Sequence, residues 1–190
     1  MSSALIELKT FLPKQKEYCL VIGVLNEGER FVNQLQQAVM HNNLVDIIIA
    51  DGGSDDGSTS PDFLQDKVTA IVVDSRKLGL SAQYQEAMKF AIQHDYKGII
   101  MVDGNGKDSM FSIPLFIEKL EQGADFVQGS RFKQGGGHKN TPSERLFAIK
   151  FVFNPLMNFF SGFKYSDLDK IIKTAYSWHC KNQELLQEAV

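Results

Sequence analysis

Residues 98–108, GIIMVDGNGKD, join an apolar run to a polar turn. The run 98–102 shows no alternation of apolar and polar side chains, which is typical of a strand buried on both faces of a parallel sheet. The turn that follows holds two acids, an amide and two glycines. The stretch therefore predicts an α/β fold with a polar loop after a buried strand. It leaves open whether this loop is a plain turn or holds a metal ion and phosphates.

Four other apolar runs are predicted as strands on similar grounds: 18–24, 45–50, 69–74 and 124–129. Between them, apolar residues at helical spacing predict three helices: 27–41, one from Ser81 to about 92, and about 113–122. Asn26 and Ser81 are the expected N-caps of the first two, and Pro114 suits the first turn of the third. This alternation predicts an α/β fold with a mostly parallel sheet and helices on both faces.

The composition is that of one ordinary soluble domain. The 190 residues are 43% hydrophobic and 23% charged, with a net charge of −3, which argues against a broad nucleic-acid-binding surface. We recognise no signal peptide and no membrane-spanning run, and Cys19 and Cys180 form no CxxC pattern. We therefore expect a single domain over 1–190, reduced and structurally buried cysteines, a cytoplasmic location and no nucleic-acid partner.

The loops that follow the predicted strands carry most of the polar turn residues. In a parallel sheet the carboxyl ends of the strands lie at one edge, where ligands of such folds bind. Five loops are therefore expected together at that edge: 25–28, 51–60, 75–81, 103–109 and 129–140.

Two of these loops hold acids at a strand end. Asp51 is either part of a solvated turn or an acceptor for a ribose hydroxyl or a base N–H. Asp103 is a candidate ligand for a hard cation such as Mg²⁺ or Mn²⁺, with Asn105 supplying a neutral carbonyl oxygen and Asp108 as a further reach. An Asx-type turn remains the alternative for this second loop.

The order of these motifs resembles family 2 glycosyltransferases of the GT-A fold, the Rossmann-like fold of nucleotide-diphospho-sugar transferases. The resemblance runs from about residue 18 to residue 167 and rests on five stretches in the family's order: VIGVLNEGE, IIIADGGSDDGST, LGLSAQYQEAMKFA, GIIMVDGNGKD and FVQGSRFKQGGGHKNTPSERL. The branch it resembles most is that of the dolichyl- or polyprenyl-phosphate sugar transferases.

The resemblance implies a site for a UDP- or GDP-linked sugar. Its nucleotide-sugar-binding positions correspond to these residues: Leu25, Asn26 and Glu27 beside the nucleobase, then Asp51, Gly53, Ser54, Gly79, Asp103 and Gly104. The family's second motif usually reads Asp-Asp-Gly-Ser, so Gly52 stands where the second acid is expected. Its metal motif usually reads Asp-X-Asp, so Asp103 and Asn105 are the implied ligands of Mg²⁺ or Mn²⁺.

Two arginines are implied as a clamp for the phosphate of the acceptor. Arg131 belongs to the family's GSR motif, and Arg145 follows a glycine-rich loop in the first turn of a helix that Thr141 and Glu144 are expected to cap. Guanidinium binds phosphate bidentately and stays charged. With Asp103, these arginines are the expected catalytic residues. Solvated surface charges are the alternative for both.

The resemblance implies a metal-assisted, inverting transfer of sugar to a polyprenyl phosphate at the membrane surface or to a growing glycan. A phosphate acceptor is already an anion and needs no general base, and Lys77 or Lys107 could help to stabilise the departing diphosphate. We also consider a non-catalytic or truncated homologue that serves as a nucleotide-binding or partner subunit, because acids are missing at 52 and 105. A nucleotidyltransferase is a third alternative.

The resemblance ends after about residue 167, so the domain is expected to be shortened there. Residues 168–190 have an apolar stripe that predicts one amphipathic helix. The Phe-rich segment 146–163 is too broken to span a bilayer. It is either an interfacial helix that guides a lipid acceptor at the inner membrane face or a core helix kinked at Pro155.

Overall fold

The computed structural model describes residues 5–129, positions 144, 147, 149–153, 155–156 and 159, and residues 174–177. The strands within these residues are β1 (Ile6–Thr10), β2 (Tyr18–Val24), β3 (Val45–Asp51), β4 (Ala70–Asp74), β5 (Gly98–Asp103), β6 (Phe126–Gln128) and β7 (Thr174–Ser177). The α-helices are α1 (Glu29–Val39), α2 (Pro61–Leu64), α3 (Leu80–Gln93) and α4 (Ile113–Glu121), with a 3₁₀ turn at Met110–Ser112 and a π-helical turn at Ile149–Phe153.

The strands form one mixed sheet in the order β1-β4-β3-β2-β5-β7-β6. β2, β3, β4 and β5 run parallel, whereas β1 pairs antiparallel with β4 and β7 antiparallel with β5. The chain adds β3 and β4 on one side of β2 and then crosses to add β5 on the other side. Such a reversal of strand order opens a crevice beyond the carboxyl ends, here between β2 and β5. The predicted α/β fold with its mostly parallel sheet is thus confirmed.

Both faces of the parallel strands are covered by helices. Every residue of β2 and β3 is buried. One face packs against α1, α2 and α4, and the other against α3. Full burial of one large apolar side chain contributes about 1.5–3 kcal/mol, so these two layers are the main source of stability in this part of the chain.

Gly23 allows α3 to approach the sheet closely. A Cβ at this position would lie 2.6 Å from Leu80 Cδ1 and 2.8 Å from the Tyr84 hydroxyl. Because Gly23 in β2 has no side chain, the Tyr84 ring can lie directly against the strand. A larger residue at position 23 would push α3 away from the carboxyl end of β2.

The amino-terminal edge of the sheet is organised by one buried carboxylate. Asp46 Oδ2 accepts hydrogen bonds from the backbone N–H groups of Gln15 (2.9 Å) and Lys16 (3.1 Å) and from the Tyr96 hydroxyl (2.9 Å). Burial, reinforced by this hydrogen bond, raises the pKa of Tyr96, so the phenol remains a donor. These contacts fix the connection into β2 at the edge opposite to the polar loops.

Most of the predicted elements are confirmed to within one or two residues, as the bounds of β2–β5, α1, α3 and α4 show. Pro114 lies in the first turn of α4, as expected. β6 is shorter than predicted, and Cys19 is buried and free. Cys180 lies outside the described residues. β1 and α2 were not predicted, because β1 is a largely exposed edge strand and α2 is too short to show a helical period.

The two predicted N-caps are wrong. α1 begins after Gly28 and α3 after Gly79, and these glycines have φ angles of +54° and +90°. Each helix was expected to begin at a capping side chain. Instead, each begins after a glycine with a positive φ, a conformation that glycine adopts more easily than other residues. Asn26 lies in the loop before α1, and Ser81 lies inside the first turn of α3.

The prediction of one helix over 168–190 is wrong for the described part. Thr174–Ser177 forms β7, with Ala175 opposite Ile100 and Ser177 opposite Gly98 of β5. The apolar residues of this segment were assigned a helical period, but backbone pairing with the edge of β5 decides the conformation. The rest of 168–190 lies outside the described residues.

The chain divides into two compact units, residues 1–127 with 175–190, and residues 128–174. In the second unit, all described side chains between 147 and 159 are exposed, among them Phe147, Phe151 and Phe159. The rings of Phe147 and Phe151 lie 4.8 Å apart. This exposure disagrees with a core-packing helix over 146–163. Across the described positions, no helix is both long enough and apolar enough to cross a bilayer.

A charged network closes the carboxyl end of β4. Arg76 donates from Nε to Asp74 Oδ1 and from a terminal nitrogen to Asp74 Oδ2, each at 2.8 Å, and it also pairs with Glu86 at 3.0 Å. The Asp74 side chain is 1% exposed. The hydrogen bonds from Arg76 hold the pKa of Asp74 below its usual value.

Asp74→Asn should lower the free energy of unfolding near neutral pH by about 1.5–3 kcal/mol, the usual contribution of a hydrogen bond to a charged group. The folded-state pKa of Asp74 lies below the unfolded value of about 3.9, so this contribution is complete above that pH and is lost as the pH falls through the folded value. Urea unfolding of both proteins between about pH 7 and pH 3 should show the difference shrinking only in acid. A difference that stays constant would contradict the assignment, and exposed Asp62→Asn is the matched control.

Candidate active site

The loops after β2 and β3 are joined by hydrogen bonds. Asn26 Oδ1 accepts from the backbone N–H of Asp55 (2.9 Å), and the Asn26 backbone N–H donates to Ser54 Oγ (3.0 Å). The backbone N–H of Gly28 donates to Asp56 Oδ2 (2.8 Å). Asn26 has a positive φ of 52°, a conformation that asparagine tolerates better than most residues. The two loops therefore form one connected surface at the carboxyl edge.

Asp51 holds the loop that follows it. Its Oδ1 accepts from the backbone N–H and the hydroxyl of Ser54 (2.9 and 2.7 Å), and its Oδ2 accepts from the Thr59 hydroxyl (2.9 Å). Asp51 is 2% exposed. The structure thus assigns this carboxylate a loop-organising role, and a contact with a ribose hydroxyl or base stays a prediction.

The remaining residues expected beside a nucleobase also lie at this edge. Leu25 is 51% exposed, and Glu27 forms an ion pair with Arg30 (2.9 Å). Gly53 has a φ of +84°, and a side chain there would lie 3.2 Å from Ser75 Oγ. The loop after β3 is thereby held close to the loop after β4.

Asp56 is fixed by a set of donors. Its Oδ1 accepts from the hydroxyl and backbone N–H of Ser58 (2.6 and 3.0 Å), in addition to the bond from Gly28. These hydrogen bonds, that of the Ser58 hydroxyl foremost, lower the pKa of Asp56. The carboxylate therefore remains charged over the whole neutral range.

Asp103 ends β5 and receives a hydrogen bond from α3. The Tyr84 hydroxyl lies 3.2 Å from Asp103 Oδ1 and 2.8 Å from the carbonyl oxygen of Val102. Burial raises the pKa of Tyr84 well above its ordinary value, with the nearby Asp103 charge acting in the same direction. The phenol therefore stays protonated, and its single O–H is shared between the Val102 carbonyl and Asp103 Oδ1 at the end of β5.

Asp51 and Asp103 flank β2 in register. Asp51 pairs with Val24, and Asp103 pairs with Gly23 on the other side of the strand. With neighbouring strands about 4.8 Å apart, the two Cα atoms are separated by roughly 10 Å. The loops after β2, β3 and β5 thus meet at one edge, as expected, whereas the predicted loop 129–140 lies outside the described residues except for residue 129.

The loop 103–108 is held by its backbone. The Gly104 N–H donates to the Gly23 carbonyl (2.7 Å), and the Gly106 N–H donates to Gln34 Oε1 in α1 (2.9 Å). Asn105 Oδ1 accepts from the Lys107 N–H at 3.1 Å, which is an Asx-type turn. The turn that was weighed as an alternative to a metal site is therefore present.

The oxygen atoms of Asp103 and Asn105 could hold a cation only if phosphate oxygens of a bound ligand completed its coordination. Within the described residues, no group of three or more His, Cys, Asp and Glu side chains could hold a metal ion. Asp103 supplies a carboxylate, and the Asn105 carbonyl retains a second lone pair beside its bond to Lys107. Two oxygen donors suit Mg²⁺ or Mn²⁺ when phosphate oxygens complete the coordination.

The structure describes only some of the other predicted site residues. Gly79 precedes α3, and Lys77 is exposed with a positive φ of 58° in the loop after β4. Arg131, Arg145 and the predicted capping residue Thr141 lie outside the described residues. The acceptor clamp therefore stays a prediction.

Three residues of α1 and α3 that the sequence analysis did not place at the site reach it: Gln34, Gln83 and Tyr84. The signal for the two glutamines is a long polar side chain on the apolar face of a helix. Gln34 lies between Phe31 and Leu35 and is 2% exposed, and Gln83 precedes Tyr84 and is 4% exposed. A buried amide at such a position indicates a specific partner.

The reversal of strand order between β2 and β5, with polar loops at the carboxyl edge, is that of a doubly wound α/β protein, and the fold is of the GT-A class. Residues 19–181 match the family described as "Glycosyl transferase family 2", and the chain belongs to that family. The resemblance read from the sequence motifs is thus confirmed.

Two relatives support the same assignment. The chain is 27% identical over 151 residues to "Polyprenol monophosphomannose synthase" of Mycolicibacterium smegmatis, which covers 74% of this chain and 54% of that protein. It is 26% identical over 121 residues to "Glycosyltransferase AglJ" of Haloferax volcanii, covering 64% of this chain and 38% of that protein. The matched region thus spans about half of the first relative and less of the second.

Glucosyl-3-phosphoglycerate synthase from Mycobacterium tuberculosis, solved in complex with phosphoglyceric acid, is similar in structure. The TM-score is 0.59 at 15% sequence identity, over 84% of this chain and 56% of that chain. At this identity the likeness supports the fold alone.

Gly104→Ala should destabilise the protein by about 1–3 kcal/mol, because overpacking against fixed atoms forces a local shift. A Cβ at Gly104 would lie 2.8 Å from the Gly23 carbonyl oxygen and 3.0 Å from Val24 Cγ2, so backbone has to move. Urea unfolding measures the loss, with exposed Ser109→Ala as control. Equal stability of Gly104→Ala and wild type would show that β2 and the 103–108 loop are not in close contact.

Gln34→Leu should loosen the loop 103–108 around Gly106 without unfolding the protein. The variant loses the acceptor for the Gly106 N–H, and it also removes the Gln34 Nε2 group, which within the described residues has no hydrogen-bond partner. We expect hydrogen exchange at the Gly106 amide to rise by about tenfold, the equivalent of one hydrogen bond, with little change in melting temperature. Exposed Gln36→Leu in the same helix is the control, and unchanged exchange at Gly106 would contradict the contact.

Proposed function

We propose that this chain carries the donor site of a glycosyltransferase that moves a sugar from a UDP- or GDP-linked donor to a polyprenyl phosphate or a glycan. The observation that carries the proposal is the placement of Asp103. It ends β5 beside the switch point of the sheet, hydrogen-bonded to Tyr84, in a chain that belongs to a glycosyltransferase family. Family and fold support the reaction class, and the donor, the metal and the stereochemistry are our inference.

The donor diphosphate would bind across the ends of β2 and β5. Asp103 and Asn105 would hold Mg²⁺ or Mn²⁺, which neutralises charge on the departing diphosphate when it is bound. Lys77 and Lys107 are exposed near the same edge and add positive charge. Asn105 in place of an acid leaves one less negative charge, so metal affinity should depend strongly on the nucleotide phosphates.

The acceptor we favour is a phosphate anion. Its oxygen would attack the anomeric carbon from the face opposite to the diphosphate, forming a new C–O bond as the old one breaks. The nucleoside diphosphate leaves with the electron pair, and the configuration at the anomeric carbon inverts. No general base is needed, because the nucleophile carries no proton to remove. Arg131 and Arg145 are proposed to hold this phosphate.

A polyprenyl acceptor would place the reaction at a membrane surface. The first relative is named a polyprenol monophosphomannose synthase, and the exposed Phe147, Phe151 and Phe159 provide apolar surface next to Lys150. We infer peripheral attachment at the cytoplasmic face.

A second candidate is a nucleotide-binding partner subunit without transfer activity. One observation favours it: Gly52 and Asn105 stand where the family's motifs usually have acids. Under this alternative the nucleotide would bind, but no sugar would be transferred or hydrolysed.

Calorimetric titration with UDP and GDP, with and without Mn²⁺, tests the donor site. We expect one of the two nucleotides to bind with Mn²⁺ and Asp103→Asn to weaken that binding. In an assay with nucleotide-linked mannose or glucose and a short polyprenyl phosphate, Asp103→Asn should reduce transfer on the order of 100-fold, because one charge-stabilising ligand is lost. Asp62→Asn is the charge-matched control.

Three results would change the proposal. Failure of both nucleotides to bind at millimolar concentration would refute the donor site. Tight Mn²⁺ binding without nucleotide would refute the weak two-ligand metal site. Binding without transfer or hydrolysis would favour the partner subunit.

A further inference from the structure

Gln83 is a buried polar residue at the candidate site, and it has no role in the proposed reaction. It lies in the first turns of α3 and is 4% exposed. Within the described residues its Oε1 is buried and has no hydrogen-bond partner. Leaving such an acceptor unsatisfied is costly, and a native structure that retains one usually presents it to a ligand or water.

The amide of Gln83 lies against the loops after β2 and β3. A side chain at Gly52 would overlap Nε2 of Gln83, and it would lie 3.3 Å from Leu25 Cδ1. The Gly52 N–H donates to the Val24 carbonyl at 2.9 Å, which fixes this position relative to β2. Gln83 therefore fills the space that any residue other than glycine would need at 52.

The nearby acid, Asp51, already accepts three hydrogen bonds from its own loop. Both oxygens of Asp51 accept hydrogen bonds, from Ser54 and Thr59. At the ends of β2 and β3, the amide of Gln83 is a buried group whose carbonyl oxygen has no hydrogen-bond partner among the described residues. It has an N–H donor and a C=O acceptor in one plane.

We propose that the amide of Gln83 recognises the nucleobase of the donor nucleotide. It would bind the lactam edge of the base, the ring N–H beside a carbonyl, which uracil and guanine share. This inference rests on the proposed function. The planar amide matches a lactam with two hydrogen bonds, whereas the paired hydroxyls of ribose match a carboxylate. Leu25, which is half exposed, packs on the flat face of the ring, and Gly52 contributes no side chain that would block it.

Gln83→Leu keeps the size of the side chain and removes both hydrogen-bonding groups. In calorimetry with Mn²⁺ and UDP or GDP, the nucleotide that wild type prefers should bind about tenfold more weakly. The melting temperature of the free protein should be unchanged or higher, because leucine removes an unsatisfied amide. Gln85→Leu, at an exposed position of the same helix, should match wild type in both measurements.

A nucleotide methylated on its base distinguishes loss of base recognition from a general weakening of nucleotide binding. UDP methylated at N3, or GDP methylated at N1, has no lactam N–H. Wild type should bind the methylated form about tenfold more weakly than the parent, and Gln83→Leu should show no further loss. Inorganic pyrophosphate with Mn²⁺ should bind both proteins equally.

The outcomes are distinguishable. If wild type binds UDP or GDP and Gln83→Leu binds it equally well, the role of Gln83 is wrong while the proposed function stands. If Gln83→Leu loses pyrophosphate binding and nucleotide binding alike, with a lower melting temperature, Gln83 is structural and the inference is refuted. If wild type binds neither nucleotide, both proposals fail.

Discussion

The hydrogen bonds from Tyr84 to the end of β5 set the geometry of the carboxyl edge. They require α3 to lie close against the sheet, and this in turn requires glycine at position 23. The same approach brings Gln83 beneath the loop after β3. Gly23 contributes no functional group of its own. It nevertheless determines the positions of the Asp103 carboxylate and the Gln83 amide.

The site is built from backbone groups and short polar side chains more than from charged residues. Asn26, Ser54 and Asp56 connect the first two loops, and the N–H groups of Gly104 and Gly106 hold the third. Such connections preorganise loops that have little apolar surface to bury, so less entropy is lost when a ligand binds. The carbonyl of Asn105 adds a further such connection, since it accepts from the Lys107 N–H within the same turn.

The sequence was sufficient to predict the parallel sheet and the edge that carries the polar loops, because buried parallel strands appear as unbroken apolar runs. It was not sufficient for contacts between elements distant in sequence. Asp51 was considered either part of a turn or a ligand-binding acid, and its hydrogen bonds to Ser54 and Thr59 within its own loop could not be read from the sequence. Gln34 acts on a loop 72 residues away, and nothing local in the sequence reveals that pairing. β7 was missed because strand pairing overrode a helical apolar period.

The contact between Asp56 and Gly28 has a consequence for how phosphate can be bound. The amino-terminal end of a helix carries a partial positive charge and commonly attracts anions. At α1, this end already faces a carboxylate of the protein itself, with Gly28 donating at 2.8 Å. Asp56 thus acts as an internal counter-ion. An incoming diphosphate would be repelled from the end of α1, and its charge has to be balanced on the β5 side of the crevice.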